Sequence, residues 1–398
     1  MGKSETENSV SIDNPDPPIT GEVDGNSLRL LPSGEERVGT MVEMIDAAEE
    51  RIRLLFYLFE GDEEGTKVRD ALARAAGRGV RVDMILDDFG TNGAPDDFFD
   101  PITEAGGETC VFHPHVGRRY FIRNHQKLAI FDGQRAIIGG ANLSKDYLTD
   151  GREGCWRDLW LQIDGPTVEH AVNYFDALDD WTKNGKSSTT ALKKIIVDFS
   201  QQEGKLRWVF GGPRPRISPM LNAIVQDIGS ARSLKMVAAY FSPSRAMLRR
   251  IGDVAARGGE AAVLTAAKSD NNATIAAARH TYKRLLRRGV KMYEFDKCRL
   301  HMKLIVVDDA VYIGSSNFDF RSLYINLELM LRIEDADFAE RMHEFAQSEM
   351  DGSQEITPEL HAERSSWWRR LKWAISRWLV TSMDYTVSRR LNFPLTGE

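Results

Sequence analysis

The pattern His-x-Lys-x4-Asp occurs twice in this chain, and each copy runs into two small residues and an asparagine. NHQKLAIFDGQRAIIGGANLS, residues 124–144, carries His125, Lys127, Asp132, Gly139, Gly140 and Asn142. RLHMKLIVVDDAVYIGSSNFDFRS, residues 299–322, carries His301, Lys303, Asp308, Gly314, Ser315 and Asn317. A single copy is weak evidence; two copies with the same tail are strong evidence. The flanks repeat as well. Residues 41–90 and 220–267 each read as helix, apolar strand, loop, amphipathic helix, glycine-containing turn and apolar strand.

Alternating strands and helices imply an α/β fold in which helices cover a sheet on both faces. The expected architecture is a tandem duplication packed about a pseudo-twofold axis, each repeat holding a mostly parallel or mixed sheet flanked by helices. The repeats are placed at 27–185 and 205–350, with a linker at 186–204. Residues 1–26 are polar, lack the apolar core of a secretory signal and read as a disordered tail. Residues 355–398 form a separate C-terminal region.

Composition excludes some classes. A net charge of -7 argues against a non-specific nucleic-acid coat, and no nucleic-acid partner is expected. Cys110, Cys155 and Cys298 show no metal or redox spacing and read as reduced thiols. No run of eighteen apolar residues exists, so no bilayer span is expected.

Residues two apart in a strand face the same side, so His125 projects with Lys127, and His301 with Lys303. Asp132 and Asp308 belong to the same motif but sit at tight turns, where they read as turn-fixing or salt-bridging residues. If the halves meet at a dyad, two lysines and the amides of Asn142 and Asn317 surround one small volume. That setting suits a phosphate whose charge spreads over its oxygens. One neutral imidazole attacks phosphorus, and the other, protonated, serves the leaving alcohol. Asp158, in GCWRDLWLQI, and Glu328, in YINLELMLRI, occupy matching places in apolar runs. A carboxylate there needs a partner, and a histidine N–H is a sensible one.

These residues resemble the phospholipase D superfamily, whose hallmark is the doubled motif. The likeness covers about 28–350 and is closest to bacterial cardiolipin synthases, carried by NSLRLLPSGEE, AAGRGVRVDMILDDFG, WRDLWLQIDGPTVEHAVNYFDALDDW and GSSNFDFRSLYINLEL. The chain's start resembles the shorter type without N-terminal membrane spans. The resemblance implies a phosphohistidine mechanism with no cofactor or metal. It implies a pocket lined by His125, Lys127, Asn142, His301, Lys303 and Asn317, with Asp158 and Glu328 orienting the histidines. By the same analogy His125 is the nucleophile and His301 the acid and base. Gln126 departs from the family, where a basic residue is frequent, and the second motif is one residue shorter between Asp308 and Asn317.

The implied activity is transfer of a phosphatidyl group from phosphatidylglycerol to a headgroup hydroxyl of a second phospholipid, with phosphatidylethanolamine a possible co-substrate. The alternatives are a hydrolase releasing phosphatidic acid and a nuclease or phosphodiesterase of the same fold. RSSWWRRLKWAISRW, residues 364–378, is rich in tryptophan and basic residues and contains no acid. On a helical wheel Trp367, Trp368, Leu371, Ala374, Ile375 and Trp378 share one arc, with Arg369, Arg370, Lys372 and Arg377 largely opposite. With Trp373, these residues are expected to rest on the cytoplasmic face of a membrane carrying anionic lipid. The bland reading is a last helix packed on the core. His113 and His115 lack a third metal ligand and read as a loop at the pocket edge. Arg118, Arg119 and Arg123 are candidates for lipid-phosphate contact, with a solvated face as the alternative.

Overall fold

The computed structural model describes residues 14–15, 17–91, 93–112, 122–151, 154–184, 188–213 and 217–382. Each repeat builds one eight-stranded sheet. The first runs Thr20–Val23, Asn26–Leu31, Trp160–Asp164, Arg135–Gly139, Lys127–Phe131, Arg51–Phe56, Arg81–Asp87, Glu108–Phe112. The second runs Leu206–Gly211, Glu328–Glu334, Ala310–Gly314, Lys303–Val307, Ser233–Ala238, Glu260–Ala266, Lys291–Phe295, Gln354–Glu355. Without the extra edge strand of each, Thr20–Val23 and Gln354–Glu355, the two orders are identical. The register is conserved too: Phe56 pairs with Lys127, and Ala238 with Lys303.

Both sheets are mixed. Only the pairings of Arg51–Phe56 with Arg81–Asp87 and of Arg81–Asp87 with Glu108–Phe112 are parallel in the first, and the equivalent two in the second. The motif itself forms an antiparallel hairpin, which is why parallel order does not extend through the sheet.

Strand alternation divides the core. Leu128 and Ile130 point into a cluster shared with Leu304, Val306 and Leu331 of the other repeat. Their neighbours Ala129 and Phe131 point into a cluster private to the first repeat, and Ile305 and Val307 into one private to the second. Helices Val168–Lys183 and Ala336–Asp351 add Tyr174, Phe175, Met342 and Phe345 to the shared cluster. Each such side chain contributes roughly 1.5–3 kcal/mol on burial, so the halves are joined by core packing rather than by a flexible tether.

Two expectations about the domain boundaries change. Thr20–Val23 pairs with Asn26–Leu31, and Ile19 is buried, so the ordered fold begins inside the expected tail. The expected linker contains a helix, Thr189–Asp198, capped by Ser188 and burying Leu192 and Ile196. Its apolar positions 192, 195 and 196 have helical spacing that the serines and lysines around them obscure. Cys155 and Cys298, read as reduced thiols, are buried, form no disulfide and meet at the joint between repeats.

The C-terminal helix Trp367–Ser382 packs along helix Asn272–Leu286. Trp373 is on its inner face: it is buried and stacks on His361 at 5.5 Å between ring centroids. It is therefore removed from the expected lipid-facing set. Trp367, Trp368, Leu371, Ile375 and Trp378 are exposed, as are Arg369, Arg370 and Lys372. Among the described residues no helix is long and apolar enough to cross a membrane.

Asp132 and Asp308 are turn residues held at positive φ, +52° and +47°. Aspartate tolerates this region better than most side chains. Asp132 accepts from the backbone N–H groups of Glu49, Glu50 and Arg51. Asp308 accepts from those of Arg232 and Ser233. Each carboxylate thus ties the motif hairpin to the start of the neighbouring strand. Asp308→Ala is expected to cost about 2 kcal/mol of stability through lost hydrogen bonds and turn strain. Thermal or denaturant unfolding checks this; an unchanged midpoint contradicts it.

Candidate active site

The two histidines meet through a crossed backbone joint. The His125 N–H donates to the Leu327 carbonyl at 2.9 Å, and the His301 N–H to the Arg157 carbonyl at 2.8 Å. Leu327 and Arg157 directly precede Glu328 and Asp158. The joint therefore delivers each carboxylate to the histidine of the opposite repeat. His125 Nδ1 lies 3.1 Å from both Glu328 oxygens, and His301 Nδ1 lies 2.6 Å from Asp158 Oδ2. With Nδ1 held from behind, Nε2 of each ring is left for chemistry.

Both rings line one cavity of about 290 Å³, together with Asn142 and Asn317. The Oδ1 atoms of both asparagines are buried with no hydrogen-bond partner among the described residues. Buried amide oxygens without a donor are costly, and a ligand hydroxyl would satisfy them. Lys127 and Lys303 are buried beside the histidines. Lys127 Nζ donates to the His125 carbonyl at 2.6 Å, and Lys303 Nζ donates to that of His301. Lys303 Nζ also lies 2.6 Å from His301 Nδ1 and 4.0 Å from Asp158, so it shares the ring's inner edge with the carboxylate.

The small pair after each motif has a steric cause. A Cβ on Gly140 would collide with the Asp158 carboxylate, so glycine is required where that acid approaches. At the matching position Ser315 donates its hydroxyl to Glu328 Oε2 at 2.5 Å. The longer acid leaves space for a hydroxyl; the shorter one does not.

Burial governs the titration of the site. It pushes His125 well below the usual imidazole value, with Lys127 and Lys303 adding to the effect. It pushes His301 down to about 3, with Lys303 again contributing. Lys303 falls to about 8 by burial against the pull of Asp158 and Glu328, and Lys127 falls well below its ordinary value, also by burial. Burial lifts Glu328 to about 8 in spite of Lys127 and Ser315. For Asp158 burial acts upward, but Lys303 and His301 outweigh it and hold the carboxyl below its usual range. Burial and the neighbouring ammonium groups thus favour the neutral form of both imidazoles.

The sequence reading missed the aromatic enclosure. Tyr57 packs on His125 at 5.0 Å between centroids. Tyr147, Trp156 and Tyr240 surround His301 at 4.9, 5.3 and 6.4 Å. None stands at a motif position; Tyr147 and Trp156 reach His301 across the repeats, while Tyr57 and Tyr240 follow the strand beside the motif histidine of their own repeat. Gln126, the departure from the family, is buried and bonds Tyr174 and the Glu328 carbonyl, so it braces the joint instead of facing the cavity. Arg123 lines the cavity. His113, His115, Arg118 and Arg119 lie outside the described residues.

Comparison with known proteins identifies the family. The family described as "Cardiolipin synthase, PLD-like domain" matches residues 41–178 and 224–349, one segment in each repeat. A cardiolipin synthase of Listeria monocytogenes is 30% identical over 365 residues, covering 89% of this chain and 75% of its own. The major cardiolipin synthase ClsA of Bacillus subtilis is 30% identical over 363 residues, with the same coverage. Among solved structures, the phosphatidylserine synthase of Haemophilus influenzae superposes with a TM-score of 0.71 at 14% identity, covering 92% of this chain and 94% of its own, a likeness of fold. The chain belongs to the cardiolipin synthase family of phospholipase D-like proteins.

Proposed function

We propose that this protein moves a phosphatidyl group from phosphatidylglycerol to a headgroup hydroxyl of a second phospholipid, forming cardiolipin when that lipid is phosphatidylglycerol. His125 Nε2 attacks phosphorus as the bond to the glycerol oxygen breaks, and His301 Nε2–H gives its proton to that oxygen. Glycerol leaves. The acceptor hydroxyl then returns a proton to His301 Nε2 and attacks the phosphohistidine, and His125 departs with its original electron pair. Lys127 and Lys303 offset the charge spread over the phosphoryl oxygens, and Asn142 and Asn317 donate to them.

The observation that carries this reading is the crossed pairing of two imidazoles with two buried carboxylates on the wall of one cavity. The depressed histidines fit as well. His125 is an unprotonated nucleophile at rest, and the phosphodiester's own negative charge favours the proton His301 needs. The tyrosines and tryptophan around His301 limit the access of water, which favours transfer over hydrolysis. Incubation with phosphatidylglycerol vesicles tests the reading. Cardiolipin plus glycerol is expected; phosphatidic acid as sole product would make the protein a hydrolase.

Contact with the membrane is assigned to the outer face of helix Trp367–Ser382. Trp367, Trp368 and Trp378 are each about 60% exposed, and Trp367 stacks only on its neighbour Trp368 among ring contacts of the described residues. Exposed indoles beside Arg369, Arg370 and Lys372 suit an interface with anionic headgroups. Replacing the three exposed tryptophans with serine is expected to weaken binding to phosphatidylglycerol vesicles roughly tenfold or more. Cosedimentation measures this, and an unchanged bound fraction contradicts it.

A further inference from the structure

The two repeats supply matching histidines, lysines and asparagines, but the cavity they enclose is not symmetric. The dyad relates Asn142 to Asn317, so Asp146 corresponds to Arg321 and Tyr147 to Ser322. It relates Arg157 to Leu327, the two carbonyls that accept the histidine N–H groups, so Trp156 corresponds to Asn326. Around His301 the cavity wall is therefore aromatic, lined by Tyr147 and Tyr240, with Trp156 packed against the His301 ring. The other side presents Arg321, Ser322 and Asn326, together with Arg123.

The cationic side is built rather than incidental. Arg123 and Arg321 are only 5% and 8% exposed, yet both line the cavity. They flank one backbone corner: the Leu327 N–H donates to the Arg123 carbonyl at 2.8 Å, and the Asn326 N–H to the Arg321 carbonyl at 2.9 Å. The Arg123 guanidinium is steadied over the Phe89 ring at 4.6 Å. Asn326 Oδ1 is buried with no hydrogen-bond partner among the described residues, and rotating the amide would present its NH2 group to an anion. Four acids stand nearby: Glu60, Asp270 and Asp319 line the cavity, Asp270 accepting from the Tyr240 hydroxyl at 2.9 Å, and Asp87 interacts with Arg123 from outside the lining. Asp87 is occupied by the backbone N–H groups of Phe89, Gly90 and Asn124, and Asp319 by that of Ser322. Burial lifts Asp87 and Asp319 to about 6, while Arg123 and Arg321 respectively pull them the other way.

The proposed reaction needs such a place. The reacting phosphodiester is met by the histidines, lysines and asparagines. The acceptor phospholipid brings a second phosphodiester, which stays anionic throughout and is costly to bring into a buried cavity without a counter-charge. The leaving glycerol carries no charge and needs none. We propose that Arg123 and Arg321, with Asn326, bind the phosphate of the acceptor phospholipid and thereby select a lipid acceptor over water or a simple alcohol. This rests on the transfer reaction proposed above.

The test is a competition between acceptors. Full-length protein is given phosphatidylglycerol vesicles and ethanol, so that cardiolipin and phosphatidylethanol form from the same phosphohistidine. Arg321→Gln and Arg123→Gln are each expected to lower the ratio of cardiolipin to phosphatidylethanol about tenfold or more. Arg321→Lys, which keeps the charge, is expected to retain a larger share of that ratio than Arg321→Gln. Phosphatidylethanol formation is the internal sign that the reacting site is intact. A ratio equal to that of the wild type in both glutamine variants overturns the inference, and so does parallel loss of both products in both. Wild-type protein that makes phosphatidylethanol but no cardiolipin overturns the lipid-acceptor reaction itself, and this inference with it.

Discussion

His125→Ala and His301→Ala are each expected to lower turnover of phosphatidylglycerol by about 10⁴-fold or more, because the roles are not interchangeable within one catalytic cycle. They should fail at different steps. Glycerol is a poor leaving group without a proton, so His301→Ala stalls before the adduct when phosphatidylglycerol is the donor. A donor with a nitrophenol leaving group removes that requirement, since the phenolate departs unprotonated. With it, His301→Ala should accumulate a phosphatidyl adduct on His125, because no ring remains to activate the acceptor. His125→Ala should form none. Intact-protein mass spectrometry distinguishes the cases, and an adduct on His301 in the His125→Ala protein would reverse the two roles.

The carboxylates should separate along the same line. Each holds a ring that belongs to the other repeat: Glu328 the His125 ring, Asp158 the His301 ring. Glu328→Gln is expected to damage the attack, and Asp158→Asn the proton transfers, each by roughly 10²- to 10⁴-fold. The cause is loss of tautomer control. An amide that donates to Nδ1 leaves the proton on Nε2, where it blocks a nucleophile and misplaces a base. With the nitrophenol donor, Asp158→Asn should keep a burst of nitrophenol near one per chain and then stop, while Glu328→Gln should lose the burst. A burst retained by Glu328→Gln and lost by Asp158→Asn would mark His301 as the attacker. Full activity in both would leave the acids with a purely structural place in the joint.

The duplication was legible because a repeat is a property of one dimension. His125, Lys127, Asn142 and their counterparts recur at near-equal spacing, and strands such as KLAIF and KLIVV declare themselves by unbroken apolar character. Asp158 and Glu328 were legible for the opposite reason: a carboxylate inside an apolar run stands out. Their exchange between repeats was not, since nothing in a single sequence says which histidine an acid will meet. The same limit hid Tyr147, Trp156 and the arginine corner, whose neighbours come from the other repeat, and the meeting of Cys155 with Cys298. The helix Thr189–Asp198 was overlooked because polar flanks suggested a linker. Trp373 was misplaced because a wheel shows which residues share an arc but not which arc the body of the protein covers.

The central claim is that one phosphorus atom is shared by two histidines contributed by two repeats. Orthovanadate, which adopts the five-coordinate geometry of phosphoryl transfer, tests it most directly in a crystal structure of the soaked protein. One vanadate per chain is expected, bonded to His125 Nε2, hydrogen-bonded by His301 Nε2 on the far side and contacted by Asn142 and Asn317. Two ions in separate cavities, or one ion touching a single imidazole, would contradict it.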